Sequence, residues 1–256
     1  MNPKLRLLNK LRQNEGVIAT FSVLKGVRNA QILAHSGVDA VIIDCEHGHF
    51  GDSDMHDSVA AVSGSGVSPV IRVRSAQPET IKRALDTGTH GILVPMISTA
   101  DEAKEIVKLS RFPPAGVRGQ GGPFACFEHG LDTPAEYVSQ ADENLVLMMQ
   151  IETREGVENI DGICQVDGVD LILIGPNDLA LALLGRHPAR ADDTIYFEAI
   201  EKIRTTGQKY GKKTGIVVVN GESARSALET FDFVILSNEV RALQAWYKTE
   251  LAAART

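Results

Sequence analysis

Leu145-Val-Leu-Met-Met-Gln-Ile-Glu152 is a continuous apolar run that ends in an acidic residue, and Leu171-Ile-Leu-Ile-Gly-Pro-Asn-Asp178 repeats this pattern one helix further along the chain. Neither run alternates in hydrophobicity, which is typical of parallel strands buried on both faces. Because consecutive parallel strands are joined by a crossover helix, their carboxyl ends meet at the same edge of a sheet. We therefore expect Glu152 and Asp178 to lie close together at that edge.

Two carboxylates at one sheet edge, with room for water and substrate, form an open site for a hard divalent cation such as Mg²⁺ or Mn²⁺. Each carboxylate also has a simpler interpretation. Glu152 could pair with Arg154 at the end of its strand, and Asp178 could cap a helix over Leu179–Leu184. Capping and metal ligation use different oxygens, so those two roles are compatible.

Similar apolar runs recur along the chain with helical patterns between them. The predicted strands are Val17–Phe21, Val38–Asp44, Pro69–Val73, Gly91–Val94, Leu145–Glu152, Val169–Gly175, Gly215–Val219 and Phe233–Leu236. Helices are predicted at Asn29–His35, Pro78–Thr87, from Ser98 onward, and at Thr133–Ala141, Tyr196–Tyr210, Gly221–Glu229 and Glu239–Ala253. Eight alternating units predict an α/β fold of the (β/α)₈ TIM-barrel type, as one domain over residues 1–256. An open doubly wound sheet is the alternative, but no strand is followed by a GxGxxG turn.

The amino-acid composition argues against some classes of binding partner. The 256 residues are 43% hydrophobic and 23% charged with a net charge of −7, which argues against nucleic acid or an anionic membrane surface. No apolar run reaches the roughly 18 residues that a membrane span needs. The N-terminal residues predict a short amphipathic helix and not a signal peptide, although their basic side chains leave mitochondrial targeting open. Three cysteines without a CxxC pair indicate a reducing compartment, so we expect a cytoplasmic protein.

Catalytic groups in such barrels come from the carboxyl ends of the strands. The second predicted strand ends in Asp44-Cys-Glu-His47, and the third carries Arg72 and Arg74. These residue types fit enolate chemistry on an α-keto acid: a cation polarises the carbonyl, an arginine stabilises the enolate oxygen, and a histidine oriented by an aspartate moves protons. Spacing does not choose between the two arginines. No predicted strand end carries a lysine, which disfavours an imine-forming route.

Other polar residues have competing interpretations. His47 and His49 form an HxH pair, but zinc would require a third nitrogen or sulfur ligand that the sequence does not place. The Gly/Pro-rich stretch Phe112–Phe124 predicts a long loop, and loops of this kind are usually functional. Arg118 in this loop would be either its anchor or a contact to a substrate carboxylate. His129, in the same long loop region, which reaches Gly130, is a candidate substrate contact.

Several segments in register resemble the HpcH/HpaI family of class II, metal-dependent pyruvate aldolases. They lie in the family's order and cover the chain from about residue 17 to 240: Asp44-x-Glu-His47, Arg72, Asp86-x-Gly-Thr89 with Gly91-Ile-Leu-Val-Pro-Met96, Pro113-Pro-Ala-Gly-Val-Arg-Gly119, Gln150-Ile-Glu-Thr-Arg154 and Ile174-Gly-Pro-x-Asp-Leu179. Two further segments, Lys82–Asp86 and Gly119-x-Gly-x-Pro-Phe124, resemble the branch that includes fungal macrophomate synthase. That enzyme decarboxylates oxaloacetate and uses the resulting enolate.

The resemblance implies roles for individual residues. Glu152 and Asp178 would bind Mg²⁺, Mn²⁺ or Co²⁺, and Arg72 would stabilise the enolate. His47 would be the general base, acting through a water on the metal. The remaining implied site residues are Asp44 and Asp86 in support of His47, and Gln150 in contact with the keto acid. Independently of the resemblance, the peptide N–H groups around Gly175, Pro176, Asn177 and Asp178 could meet a substrate carboxylate, especially if Asp178 opens a helical turn.

The implied reaction is reversible cleavage of a 4-hydroxy-2-oxo acid to pyruvate and an aldehyde through a pyruvate enolate. The resemblance also implies a homo-hexamer in which the C-terminal helix, Val240–Ala253, is exchanged between subunits. Two alternatives remain open. One is an oxaloacetate decarboxylase that forms the same enolate, and the other is a non-catalytic barrel that binds a keto acid.

Overall fold

The computed structural model describes residues 1–187 and 189–255, in which eight parallel strands form a closed barrel. The strands are β1 (Val17–Ser22), β2 (Ala40–Asp44), β3 (Ser68–Arg72), β4 (Gly91–Val94), β5 (Val146–Ile151), β6 (Leu171–Ile174), β7 (Lys213–Val218) and β8 (Phe233–Asn238). Each strand pairs with the next in sequence, and β8 pairs with β1. The barrel prediction is therefore confirmed, and the doubly wound alternative is wrong.

Helices follow every strand. Within the described residues they are α1 (Arg6–Arg12), α2 (Val27–Ala34), α3 (Asp52–Gly64), α4 (Pro78–Leu85), α5 (Ala100–Ser110), α6 (Ala125–Glu128), α7 (Pro134–Asn144), α8 (Arg154–Glu158), α9 (Ile160–Cys164), α10 (Pro176–Leu184), α11 (Thr194–Lys209), α12 (Gly221–Ala227) and α13 (Glu239–Ala254). No helix in this part of the chain is both long enough and apolar enough to cross a bilayer.

The observed elements differ from the predicted ones at their ends and in four helices that were not predicted, α3, α6, α8 and α9. Strand and helix boundaries move by one to three residues, as is usual where helices and strands fray. Helix α3 was not apparent in the sequence because its Asp, Ser, His and Gly residues outnumber its apolar residues. Of those apolar residues, Met55, Val59 and Val62 are all buried.

The barrel interior is packed with side chains. Its apolar residues come from all eight strands, and the N-terminal helix α1 adds Leu7 and Leu11 to the same cluster. Arg6 and Lys10 of α1 both pair with Asp39, at the start of β2, with N–O distances of 2.8 and 3.0 Å. Helix α1 therefore closes the N-terminal end of the barrel, and the C-terminal end is left for a site.

Candidate active site

A cavity of about 240 Å³ lies at the C-terminal end of the barrel. The cavity is lined by nine of the predicted site residues: Asp44, His47, Arg72, Gln150, Glu152, Gly175, Pro176, Asn177 and Asp178. The cavity is also lined by Phe21, Val23, Val217, Val218, Val219, Ser237, Asn238 and Arg241. The structure thus brings together residues that follow the ends of most of the strands.

Arg72 is held in the cavity by Asp44. Side chains alternate along a strand, so the inward-facing rows of β2 and β3 end at these two residues, and the register places them side by side. Arg72 donates from Nε to Asp44 Oδ1 at 2.9 Å and from Nη2 to Oδ2 at 2.5 Å. Such a two-point pair fixes the plane of the guanidinium, which also lies 4.4 Å from the centroid of the Phe21 ring.

Arg74 points elsewhere. It is exposed and donates to the backbone carbonyls of Cys45 and Phe50. It therefore stabilises the turn after β2 and does not line the cavity. Cys45 itself is buried, and burial raises the pKa of its thiol to about 12. The neutral thiol fits a packing role.

Glu152 is fixed at both of its oxygens. Oε1 accepts the backbone N–H of Met96 at 2.9 Å, and Oε2 accepts from Gln150 Nε2 at 2.5 Å. Met96 has φ of 61°, a left-handed conformation that is uncommon outside glycine and common at functional sites. Gly175 passes so close that a Cβ there would lie 2.1 Å from Glu152 Oε2. Only glycine at this position leaves the carboxylate in place.

Asp178 faces the cavity from the first turn of α10. Gly175 is the N-cap of this helix and makes no side-chain cap, and Pro176 occupies the first turn, so Asp178 is not the capping residue. Early N–H groups of a helix have no partner within the helix, and proline lacks one altogether. The N–H groups of Asn177 and Asp178 are therefore oriented to bind an anion such as a substrate carboxylate.

His47 and Glu46 occupy the rim. The His47 side chain is 64% exposed, and its Nε2 lies 3.7 Å from Glu46 Oε2, which in turn lies 3.4 Å from Arg72 Nε. The N–H groups of both rim residues donate to Asp44 Oδ1 at 3.1 Å, so Asp44 orients this turn as well as Arg72. Sequence reasoning gave Glu46 no role, although it lies inside the Asp44–His47 segment.

The carboxylates of the cavity fit a divalent cation. Burial raises the pKa of Glu152, and the nearby negative charges of Asp178 and Glu46 raise it further. A bound cation would remove that repulsion. Glu46 Oε2 is buried with no hydrogen bond in the part of the chain that the structure describes.

In those same residues no three His, Cys, Asp or Glu side chains are arranged to hold a metal by themselves. Two carboxylates with open positions suit Mg²⁺ or Mn²⁺, which retain water and substrate oxygens as ligands. Zinc would need three protein ligands here. We conclude that the donor set fits a hard cation better than zinc.

Asp86, Arg118 and His129 lie at the opposite end of the barrel. Asp86 follows α4, which runs back from β3 towards the N-terminal end, so it does not reach the cavity within one chain. Arg118 is buried and donates from Nη2 to the Leu85 carbonyl at 3.1 Å and to the Tyr137 hydroxyl at 2.9 Å. This is the anchoring role. His129 is 1% exposed and does not line the cavity.

Sequence reasoning missed the contribution of β8 to the site. Ser237, Asn238 and Arg241 line the cavity directly after the apolar run of that strand. The same signal, polar residues following a buried run, identified the residues of β2, β5 and β6. The same pattern occurs at the end of β8, so it would also have predicted these three residues.

Known proteins resemble this chain in sequence and in fold. The family model for HpcH/HpaI aldolase/citrate lyase matches residues 18–235. A 5-keto-4-deoxy-D-glucarate aldolase from Shigella boydii serotype 18 is 35% identical over 83% of this chain and 81% of its own length. A crystal structure of an HpcH/HpaI aldolase/citrate lyase family protein from Burkholderia cenocepacia J2315 superposes with a TM-score of 0.89 at 29% identity, covering 98% of this chain and 99% of that one. Macrophomate synthase, at 23% identity, a TM-score of 0.81 and coverage of 99% and 89%, shares the fold.

Proposed function

Because the chain belongs to the HpcH/HpaI aldolase/citrate lyase family and is a carbon–carbon lyase, we propose that it cleaves a 4-hydroxy-2-oxo acid reversibly to pyruvate and an aldehyde. The observation that carries this proposal is that Arg72 borders the same cavity as two carboxylates, Glu152 and Asp178. Enolate formation needs a cation beside the carbonyl and a positive group for the developing charge. Arg72 supplies the positive group, and Glu152 and Asp178 would hold the cation.

Each residue has a task in binding the keto acid. Glu152 and Asp178 would hold Mg²⁺, Mn²⁺ or Co²⁺, which polarises the keto group when bound. The N–H groups of Asn177 and Asp178 receive the substrate carboxylate. Gln150 positions Glu152 through its Nε2. Its Oε1 is buried without a partner in residues 1–187 and 189–255, so it is free to accept a hydrogen bond from the substrate.

Proton transfer falls to His47. In the cleavage direction it accepts the proton of the C4 hydroxyl. The C3–C4 bond then breaks, its electron pair moves towards the keto oxygen, and the aldehyde carbonyl forms. Arg72 stabilises the negative charge of the enolate. Protonation of the enolate at C3 gives pyruvate.

Deuterium exchange tests enolate formation without knowledge of the aldehyde. Metal-stripped protein is incubated with pyruvate in D₂O, with and without Mg²⁺ or Mn²⁺, and the methyl proton signal is followed by NMR. We expect metal-dependent loss of the signal in the wild type and in Glu155→Ala, an exposed control on α8, and no loss in Glu152→Ala. No exchange with any metal would contradict the proposal, and turnover of oxaloacetate under those conditions would favour the decarboxylase instead.

The exposed apolar side of α13 supports subunit exchange. Leu243, Trp246, Tyr247 and Leu251 are 46–58% exposed, and contiguous apolar patches of this kind mark interfaces. We propose that α13 packs against a neighbouring subunit of a homo-hexamer. Trp246→Glu is expected to yield smaller particles by light scattering, whereas Lys248→Glu on the same helix is expected to leave the assembly intact. An unchanged mass for Trp246→Glu would contradict this.

We propose the cytoplasm as the compartment. Cys45, Cys126 and Cys164 are free and buried in the fold. Unpaired cysteines are typical of a reducing environment. Cell fractionation with an antibody to the native chain would test this, and recovery in an oxidising compartment would contradict it.

A further inference from the structure

Glu239 is a buried carboxylate that does not line the cavity and that the proposed reaction does not use. It is the first residue of α13 and is only 6% exposed. Within the part of the chain that the structure describes, it forms no ion pair. Burying a charge without a counter-ion is costly unless hydrogen bonds offset the loss of water. The hydrogen bonds of Glu239 therefore indicate its role.

One oxygen of Glu239 accepts three hydrogen bonds from the segment after β1. Oε1 accepts the backbone N–H groups of Val23 and Leu24 at 2.8 and 2.7 Å and the side-chain amide of Asn29 at 2.9 Å. Hydrogen bonds to a carboxylate are roughly twice as strong as those between neutral groups. The same Asn29 amide donates to the Leu24 carbonyl at 2.8 Å, which closes the loop between β1 and α2. Glu239 thus attaches the start of α13 to this loop.

Val23 is hydrogen-bonded through both of its backbone groups. Its N–H donates to Glu239, and its carbonyl accepts the N–H of His49 at 2.9 Å. His49 lies two residues after His47, in the turn between β2 and α3. The strands β8, β1 and β2 are neighbours in the barrel, so the segments that follow them lie side by side at its C-terminal end. A hydrogen-bonded path therefore runs from α13 through Val23 to the turn that carries His47.

The turn that carries His47 is held on three sides. The Asp44 carboxylate accepts the N–H of His47 at 3.1 Å, and the Asp44 carbonyl accepts the N–H of Gly48 at 3.0 Å. Arg74 binds two carbonyls of the turn on a second side, and Val23 holds the third side. The His47 side chain is 64% exposed, so packing does little to fix it. Its position depends on the backbone of the turn.

We propose that Glu239 is a positioning residue, which fixes the His47 imidazole through Val23 and His49 and so couples the C-terminal helix to proton transfer. The inference rests on the proposed aldolase function, in which His47 accepts the proton of the C4 hydroxyl. A displacement of about 1 Å in such a group costs up to about 100-fold in rate. Glu152 is held by its own hydrogen bonds on the other side of the cavity. Enolate formation from pyruvate should therefore depend much less on Glu239 than cleavage does.

Cleavage of 4-hydroxy-2-oxobutanoate tests this role, because this smallest 4-hydroxy-2-oxo acid makes the least demand on the space for the aldehyde. The kcat of cleavage with Mg²⁺ is compared with metal-dependent pyruvate exchange in the wild type, Glu239→Leu and Glu239→Gln. We expect Glu239→Leu to lower kcat of cleavage about 10- to 100-fold and to leave exchange near the wild-type rate. Glu239→Gln should retain most of the cleavage rate, because its amide oxygen can accept the same N–H groups.

A double-mutant cycle with His47→Asn shows whether the effect passes through the histidine. In the His47→Asn background, Glu239→Leu should lower cleavage no further. If Glu239→Leu does not fold, Glu239→Asp takes its place, because it keeps the charge on a side chain one methylene shorter. The matched control is Glu136→Leu. Glu136 is exposed on α7, accepts the backbone N–H groups of Asp132 and Thr133 at 3.0 and 3.2 Å, and should leave both rates unchanged.

The outcomes separate the two proposals. Absence of pyruvate exchange in the wild type would overturn the aldolase function and this inference with it. Exchange without cleavage in the wild type would remove the proton-transfer role of His47, and with it the role of Glu239. Unchanged cleavage in Glu239→Leu would overturn the role of Glu239 alone. Equal losses of cleavage and exchange, or a further loss in the His47→Asn background, would do the same, because they would show that Glu239 only supports the fold.

Discussion

Arg72 at the C-terminal end of the barrel and Arg118 at the N-terminal end are both buried, at 8% and 4% exposure. Arg72 is paired with the carboxylate of Asp44 and borders a cavity. Arg118 lies over the rings of Phe112 and Tyr137, at 4.5 and 5.3 Å from their centroids, and its Nε and Nη1 have no hydrogen-bond partner in the described residues. Arg72 is thus held by a two-point ion pair and one aromatic ring, whereas Arg118 has no ion pair in the described residues and is held by two hydrogen bonds and two aromatic rings.

The histidines repeat this contrast. His47 is exposed at the rim of the cavity, where a substrate can reach it. His90 and His129 are buried side by side at the other end, and burial lowers their pKa values to about 4 and about 3. Histidine therefore lies exposed at the rim of the cavity at one end of the barrel and is buried in packing contacts at the other.

The largest expected effect is at a carboxylate of the site. We expect Glu152→Gln to lower metal-dependent pyruvate exchange by about 10³-fold, because a neutral amide cannot bind the cation as a carboxylate does. The unfolding free energy of the metal-free protein should change by no more than about 1 kcal/mol, since the amide can keep one of the two hydrogen bonds.

The matched control is a buried carboxylate at the other end. Asp170, whose pKa is raised by burial, accepts the Leu147 N–H at 2.7 Å. Asp170→Asn should retain exchange while costing about 1 kcal/mol. Loss of exchange in both variants would show that the two ends are not independent.

Acidification should lower the stability of the protein through two buried histidines at the N-terminal end of the barrel. When folding lowers the pKa of a histidine, the residue is neutral in the folded state and protonated in the unfolded state at pH values between the two pKa values. Its contribution to stability is therefore complete above about pH 6.5 and is lost as the pH falls towards the pKa of the folded state. For His90 and His129 that window runs from about pH 6.5 to about pH 4 and below. Each contributes a slope of up to about 1.4 kcal/mol per pH unit. Denaturant unfolding of wild type and His129→Asn measures this, and an identical slope in the variant would contradict it.

At Arg118, a substitution that removes the charge should destabilise the protein less than one that keeps the charge but loses the flat guanidinium. Lysine keeps the charge but cannot stack flat on Phe112 and Tyr137, so we expect Arg118→Lys to cost about 2 kcal/mol of unfolding free energy. Arg118→Met removes the buried charge and fills similar space, so it should cost less than the lysine variant. Thermal melts with unchanged pyruvate exchange would support this order. A lysine variant as stable as the wild type would remove the role given to the aromatic faces.

The smallest expected effect is at Met96. Glycine adopts the left-handed conformation freely, which offsets much of the extra disorder that it gives the unfolded chain. Met96→Gly should therefore change the unfolding free energy by less than about 1 kcal/mol. Exchange should fall several-fold, because the N–H that orients Glu152 becomes less fixed. If exchange is unaffected, the backbone strain is not what positions the carboxylate.

Local signals were enough to predict the barrel and most of the site. A buried run followed by a polar residue is readable in any single strand, and Glu152, Asp178 and Asp44 were found in this way. The choice between Arg72 and Arg74 needed the inward face of β3, which depends on pairing with β2. Pairing is not a local property.

The errors have physical reasons as well. Helix α3 was not predicted because its polar residues outnumber the apolar residues on its buried side. His129 was considered a substrate contact because the long Gly/Pro-rich loop around it suggests function. This loop follows a helix, however, and segments that join a helix to the next strand lie at the N-terminal end of a barrel, away from the catalytic end.

Helix α1 gives the barrel a single opening. Leu7 and Leu11 fill the N-terminal end of the interior, so molecules enter and leave past the rim at the C-terminal end. In the proposed reaction the keto-acid half of the substrate binds at the buried Glu152, so the aldehyde half would lie nearer the rim and would block the exit of pyruvate. Release would then be ordered, aldehyde first and pyruvate second. In steady-state kinetics of cleavage, pyruvate would inhibit competitively with the substrate, whereas the aldehyde would inhibit noncompetitively.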